Sequence, residues 1–259
     1  MTPPPAPTVG PRAILFDLDD TLLVNPMGTF VPAYFRALTE YMADELEPGR
    51  LINQLLIATR AMDDDDDPAR TNEQVFADAF FPALGFERSV LEPRFASFYR
   101  EAFPALRELT RPVAGAFEAV RWAFDSGRDV VLATNPVFPR DAIRQRLEWA
   151  LPGSDELPFD LITSYEEMHS TKARPDYYLE IAGQLARRPS ECVMVGDNWK
   201  WDIVNSVRAG MAAWWIAARD AGVCDPDLPL LGRGSLEDFV AFARREWTVG
   251  GEKEMVDSG

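Results

Sequence analysis

The stretch from Ala13 to Leu23, AILFDLDDTLL, constrains the fold more than any other part of the chain. It opens with four apolar residues in a row, Ala13, Ile14, Leu15 and Phe16. A strand with one wet face would alternate; an unbroken run suits a strand covered on both faces of a parallel sheet. Carboxylates follow at once, as Asp17, Asp19 and Asp20, with Thr21 behind them. Such groups fit poorly inside a sheet and well just beyond a strand's carboxyl end, where open α/β sheets bind ligands. Asp17 and Asp19 stand two residues apart and repel unless a cation or a shared proton intervenes. The stretch therefore predicts a metal site with a candidate carboxylate nucleophile. The same string also reads as a strand entering a capped polar turn, so the rest of the chain has to supply the context.

That context changes character twice. From Val24 to about Leu109 the spacing is helical. Tyr34, Phe35, Leu38, Tyr41, Met42 and Leu46 recur every three or four residues before Pro48 and Gly49. Further helices are expected from Leu51, over Asn72 to Leu84, and over Val90 to Leu106, making a small bundle. After Pro112, short apolar strands alternate with helices. Strands are expected at Asp129–Thr134, Phe159–Thr163, Cys192–Gly196 and Met211–Ile216, and a last helix from Ser235 to Arg245. Alternation of this kind predicts right-handed crossovers and a parallel, Rossmann-like α/β sheet. The helical block is then an insertion. The expected organisation is a leader at residues 1–12, a core at 13–23 and 110–247, a helical cap at 24–109 and a tail at 248–259.

Four strand ends carry polar residues, and in a parallel sheet those ends share one edge. They supply Asp17, Asp19 and Thr21; Thr134 and Asn135; Lys172; and Asp197, Asn198 and Asp202. In this order the motifs are Asp-x-Asp-x-Thr, a Thr-Asn pair, Lys172 in KARP, and Gly-Asp-Asn-x-x-x-Asp from Gly196. The chain resembles the haloacid dehalogenase superfamily of hydrolases on these four motifs, between Ala13 and Trp215. The KARP string departs from the superfamily's common Lys-Pro-x-Pro at Ala173 and keeps Pro175.

The resemblance implies a set of roles. Asp17 would attack phosphorus and form an aspartyl-phosphate. Asp19 would protonate the leaving oxygen and later take a proton from water. Mg²⁺ would sit among Asp17, the backbone carbonyl of Asp19 and Asp197. Thr134 and Asn135 would bind the phosphoryl oxygens, and Lys172 would neutralise charge on Asp17 and the phosphate. Thr21, Asn198 and Asp202 would support that shell. Dehalogenases of the superfamily lack an aspartate at the Asp19 position, because a departing halide needs no proton. Its presence favours a phosphatase or a phosphomutase. Asp17 to Thr134 spans 117 residues and Thr134 to Lys172 only 38, so the cap falls between the first two motifs, as in the helical-cap subclass. Such a cap closes over the site and selects substrate. The expected partner is a small phosphorylated metabolite, its identity left to cap side chains that no motif fixes.

Composition excludes other classes. The net charge of −16 opposes non-specific binding to nucleic acid or to anionic membrane. No apolar run approaches the ~20 residues of a membrane span. The two cysteines, Cys192 and Cys224, make no disulfide framework, and a reducing cytoplasm fits. A single histidine, His169, argues against a serine-hydrolase triad and against a histidine-rich zinc site. His169 reads more readily as a packing residue than as a substrate contact. Asp63 to Asp67 reads as a solvated loop rather than a cation site. Trp199 or Trp201 is expected either to wall the pocket or to pack a helix. The cap aromatics Tyr34, Phe35, Phe76 and Phe98 read mostly as bundle core, and Asn25 to Phe30 as a hinge or a pocket border.

Overall fold

The computed structural model describes residues 8–218, 221, 225 and 228–248. Cys224 and most of the expected leader and tail lie outside the described residues. In chain order, β1 (Thr8–Val9), β2 (Ala13–Phe16) and β3 (Leu23–Val24) lead into α1 (Met27–Tyr41), α2 (Pro48–Asp64), α3 (Asn72–Leu84) and α4 (Arg88–Glu101). After a 3₁₀ segment, Phe103–Leu109, come β4 (Arg111–Pro112), α5 (Ala116–Asp125), β5 (Asp129–Leu132), α6 (Arg140–Ala150) and β6 (Leu161–Ile162). Then follow α7 (Asp176–Gln184), β7 (Cys192–Gly196), α8 (Asn205–Arg208), β8 (Ala212–Ile216), β9 (Gly232–Gly234), α9 (Leu236–Glu246) and β10 (Trp247–Thr248).

Among the described residues, six strands form one parallel sheet in the order β6-β5-β2-β7-β8-β9. The apolar run of β2 lies at its centre with every residue at 0% exposure, as an uninterrupted apolar strand requires. The chain works outward from β2 through β5 to β6, then crosses back to β7 on the other side. That reversal puts a crevice at the carboxyl ends of β2, β5 and β7.

The α1–α4 bundle lies between β3 and β4, which pair antiparallel where the chain leaves the sheet layer and returns to it. Helix α3 starts at a capping box, Thr71 with Gln74, and ends at Gly85, whose φ of 73° is left-handed. Its bounds coincide with those expected from the sequence.

Several elements differ from expectation. The sheet has a sixth strand, β9, in Gly-Arg-Gly, a string with no apolar pattern to betray it. The fourth cap helix stops at Glu101, and Pro104 follows in the 3₁₀ segment. The helix expected from Trp201 is a π-type turn over Trp199–Val204 followed by the short α8. Thr8–Val9, read as leader, pair in parallel with Trp247–Thr248.

Candidate functional site

The carboxylates of the opening motif are aimed by backbone that the sequence makes tight. Asp17 still belongs to the sheet, its N–H donating to the Val195 carbonyl at 3.0 Å. The Leu18 carbonyl then accepts the N–H groups of Leu22 and Leu23, both at 2.9 Å, which curls the chain into a compact loop. Asp20 adopts a φ of 57° at the bend, a left-handed conformation that aspartate tolerates better than most residues. Its Oδ1 accepts the Asn25 N–H at 2.9 Å and closes the loop.

Lys172 comes from the loop before α7 and lies at the bottom of the site. Its Nζ donates to Asp17 Oδ1 at 2.5 Å and to Asp202 Oδ1 at 2.6 Å. All three side chains are buried, none above 9% exposure. The Asn135 side-chain oxygen accepts the Lys172 N–H at 3.0 Å, and Asn205 Nδ2 donates to the Lys172 carbonyl at 2.8 Å. Asp202 spends its second oxygen on the Asn198 N–H at 3.0 Å. Gly196 is needed here, because a Cβ would lie 2.4 Å from that oxygen. Asp197 is half-buried, and its carbonyl accepts Trp215 Nε1 at 2.8 Å.

The charges do not balance. Burial pushes Asp17 well above the usual carboxylate range, opposed by Lys172 and reinforced by Asp202, Asp197 and Asp19. Asp197 is pushed up to about 7 by burial and by Asp202, against the pull of Lys172. Burial pulls Lys172 down, but Asp17 and Asp202 outweigh it and hold the ammonium charged. Three carboxylates around one ammonium leave the cluster short of positive charge. Ligand oxygens of Asp17, Asp197 and Asp202 all lie within 4.8 Å of one another. A hard divalent cation suits this all-oxygen set, and Asp17 and Asp197 are the pair left to hold it, since Asp202 has both oxygens bonded.

Asp19 points to a different partner. Its Oδ1 accepts Asn25 Nδ2 at 2.8 Å, and Arg146 Nη1 spans both oxygens at 3.0 and 2.8 Å. Arg146 is 1% exposed, with its guanidinium 4.7 Å from the centre of the Phe138 ring. The sequence reading missed this residue. A signal existed: Ile143, Arg146, Leu147 and Ala150 recur at helical spacing, so Arg146 falls in the buried stripe of α6.

Above the carboxylates lies a cavity of about 600 Å³. Asp17, Asp19, Thr134, Asn135, Lys172, Asp197, Asn198 and Asp202 all reach its wall. Thr21 does not; it is fully buried, and its hydroxyl has no hydrogen-bond partner among the described residues. Tyr34, Phe35 and Phe76, read as mostly bundle core, line the cavity, whereas Phe98 is core. Trp201 walls the cavity, while Trp199 packs on Trp215 with ring centres 4.9 Å apart. His169 pairs with Glu180 at 2.8 Å, outside the cavity wall.

The acidic run is a solvated loop only in part: Asp66 and Asp67 are exposed and lie beyond α2. Asp63 and Asp64 complete α2, Asp63 Oδ1 accepts the Thr171 hydroxyl at 2.7 Å, and Arg174 donates to the Asp65 carbonyl. At the start of α3, Asn72 N–H donates to Met168 O at 2.8 Å and Asn72 Nδ2 to Ser170 O at 3.1 Å. These bonds tie the helical bundle to the loop that carries Lys172.

Residues 11–210 match the family model of haloacid dehalogenase-like hydrolases. No curated protein matches the chain significantly. Among solved structures, a 2-haloacid dehalogenase from Pseudomonas syringae pv. Tomato superposes with a TM-score of 0.63 at 19% identity, covering 92% of this chain and 99% of that one. A HAD phosphatase from Thermococcus onnurineus superposes with a TM-score of 0.54 at 20% identity, covering 92% and 100%. At such identities these likenesses establish the fold. Among the described residues, no helix is long and apolar enough to cross a membrane.

Proposed function

The chain belongs to the haloacid dehalogenase-like hydrolases, and on that premise we propose that it is a Mg²⁺-dependent phosphomonoesterase of a small cytoplasmic metabolite. The observation that carries the reading is the buried Asp17–Lys172–Asp202 cluster beside Asp197, with Asp19 on the wall of the same cavity.

Asp17 attacks phosphorus as the bond to the leaving alcohol oxygen breaks, giving an aspartyl-phosphate. Lys172 holds the Asp17 carboxylate in place and offsets charge on the incoming phosphoryl group. Thr134 and Asn135, at the end of β5, stand where phosphoryl oxygens would enter. Mg²⁺ at Asp17 and Asp197 would supply the positive charge the cluster lacks. Asp19 delivers a proton to the leaving oxygen, then accepts one from the water that cleaves the aspartyl-phosphate. Three N–H contacts hold the Asp19 carboxyl in place, and Arg146 and Asn25 are its positioning residues. Positioning and charge stabilisation supply most of the catalysis in phosphoryl transfer.

The deciding experiment is phosphate release from p-nitrophenyl phosphate with Mg²⁺, with EDTA and with Asp17→Asn. Release that needs the metal and vanishes in the variant supports the reading. A phosphorylated product in place of free phosphate would indicate a phosphomutase. A folded protein that releases nothing would indicate a binding protein built on the same fold. Chloride release from 2-chloropropionate would instead indicate dehalogenation.

A further inference from the structure

The cavity over the carboxylates has a composition that narrows the substrate. Its volume of about 600 Å³ is room for a large organic group, and a short sugar phosphate would leave much of it to water. Cap side chains from four helices make its walls, among them Val31, Phe35, Leu55, Phe76, Phe81 and Phe95. The apolar character continues to the mouth. Leu56, Met27 and Trp201 line the cavity while being 54%, 38% and 36% exposed. Exposed apolar side chains gathered at one opening mark a surface that a ligand covers.

Several polar groups of the wall are already engaged, although the Thr59 and Tyr165 hydroxyls that also line it have no hydrogen-bond partner among the described residues. The Tyr34 hydroxyl hydrogen-bonds that of Tyr99 at 3.0 Å. Arg88 donates to Glu73 and to Glu92. Arg146 is held by Asp19, and Asp63 by Thr171. A polyol entering this space would shed water from several hydroxyls and find too few open donors and acceptors to match them all. Each unmatched hydroxyl costs roughly tenfold or more in affinity. A hydrocarbon or aromatic group gains from the same transfer.

We propose that the substrate is a phosphomonoester of a bulky apolar alcohol, aromatic or branched, and not of a sugar. The phosphate meets the carboxylate and lysine floor, and the hydrocarbon fills the cap. This substrate class rests on the phosphatase reading and deepens it.

The test compares kcat/KM of the full chain with Mg²⁺ for 2-phenylethyl phosphate and glucose 6-phosphate. Both are esters of primary alcohols, so their leaving groups are alike and the ratio reports binding of the organic part. The expected ratio is at least tenfold in favour of the phenylethyl ester, and Leu56→Glu at the mouth narrows it several-fold. Phosphate release with equal or reversed preference overturns the substrate class while leaving the phosphatase reading intact. No release from either ester or from p-nitrophenyl phosphate overturns the phosphatase reading, and the substrate class falls with it.

Discussion

The floor of the site and its roof are made by opposite physics. On the floor, Asp17, Lys172 and Asp202 sit within hydrogen-bond distance, buried and charged, each oriented by bonds to its neighbours. In the roof, aromatic and aliphatic side chains from four helices pack by shape and leave a space. A buried charge with its partner removed is costly, whereas an apolar wall tolerates exchange of one hydrocarbon for another. The floor therefore admits few substitutions and fixes the chemistry. The roof admits many and sets what is accepted.

The largest effect that would test this contrast is loss of the nucleophile. Asp17→Asn should lower kcat by about 10⁴-fold or more, as removal of a reacting group does elsewhere, with the fold retained by circular dichroism. Asp19→Asn should slow alkyl phosphates by about 10²–10⁴-fold, the usual worth of general acid–base catalysis. In kcat/KM, which does not sense the later hydrolysis of the aspartyl-phosphate, it should slow p-nitrophenyl phosphate much less, because that leaving group departs without a proton. Equal losses on the two substrates would remove Asp19 from the acid role.

Stability separates the regions further. Lys172→Met leaves Asp17 and Asp202 buried without a cation, and should cost about 3–5 kcal/mol in urea unfolding. Adding Asp202→Asn should recover part of that loss, since the sites are coupled. Metal should act in the opposite direction. Asp197 is raised to about 7 from an ordinary 3.8, so the folded metal-free chain binds the extra proton and loses stability as pH rises between about 4 and 7. Mg²⁺ competes with that proton. At a hundredfold excess over its Kd it should add about 2.7 kcal/mol at pH 8, less at pH 5.5 and nothing with EDTA, as thermal melts would read. The smallest effect belongs to the roof. Tyr34→Phe removes one hydroxyl from the pair with Tyr99 and should cost about 1 kcal/mol with kcat nearly unchanged.

The same contrast explains what could be read from the sequence. The convergence of Asp17, Thr134, Lys172 and Asp197 was legible, because strand ends in a parallel sheet share an edge and each motif follows an apolar strand. Arg146 was not, because an arginine on a polar-looking helix reads as solvated until its phase is checked against Ile143 and Leu147. The Asp63–Asp67 run was legible only in part, for a related reason. Five acidic side chains look hydrated, yet Asp63 meets a hydroxyl 108 positions further along the chain, a contact that only folding creates. The cavity wall was beyond reach, since the same spacing of Phe35 and Phe76 serves a packed bundle or a lined space equally well. Strand β9 was missed because edge pairing needs backbone groups, which glycine supplies as well as any residue.

The bonds from Asp63 and Asn72 to Thr171, Met168 and Ser170 fasten the roof to the strip of chain that presents Lys172. Raising the roof to admit or discharge a molecule means breaking those bonds and slackening that strip in the same movement. What stays on that strip is the grip of Asn135 and Asn205 on the Lys172 backbone. On the phosphatase reading proposed above, that strip would be fully braced only with the roof down, so a phosphoryl group would be handled behind a shut door.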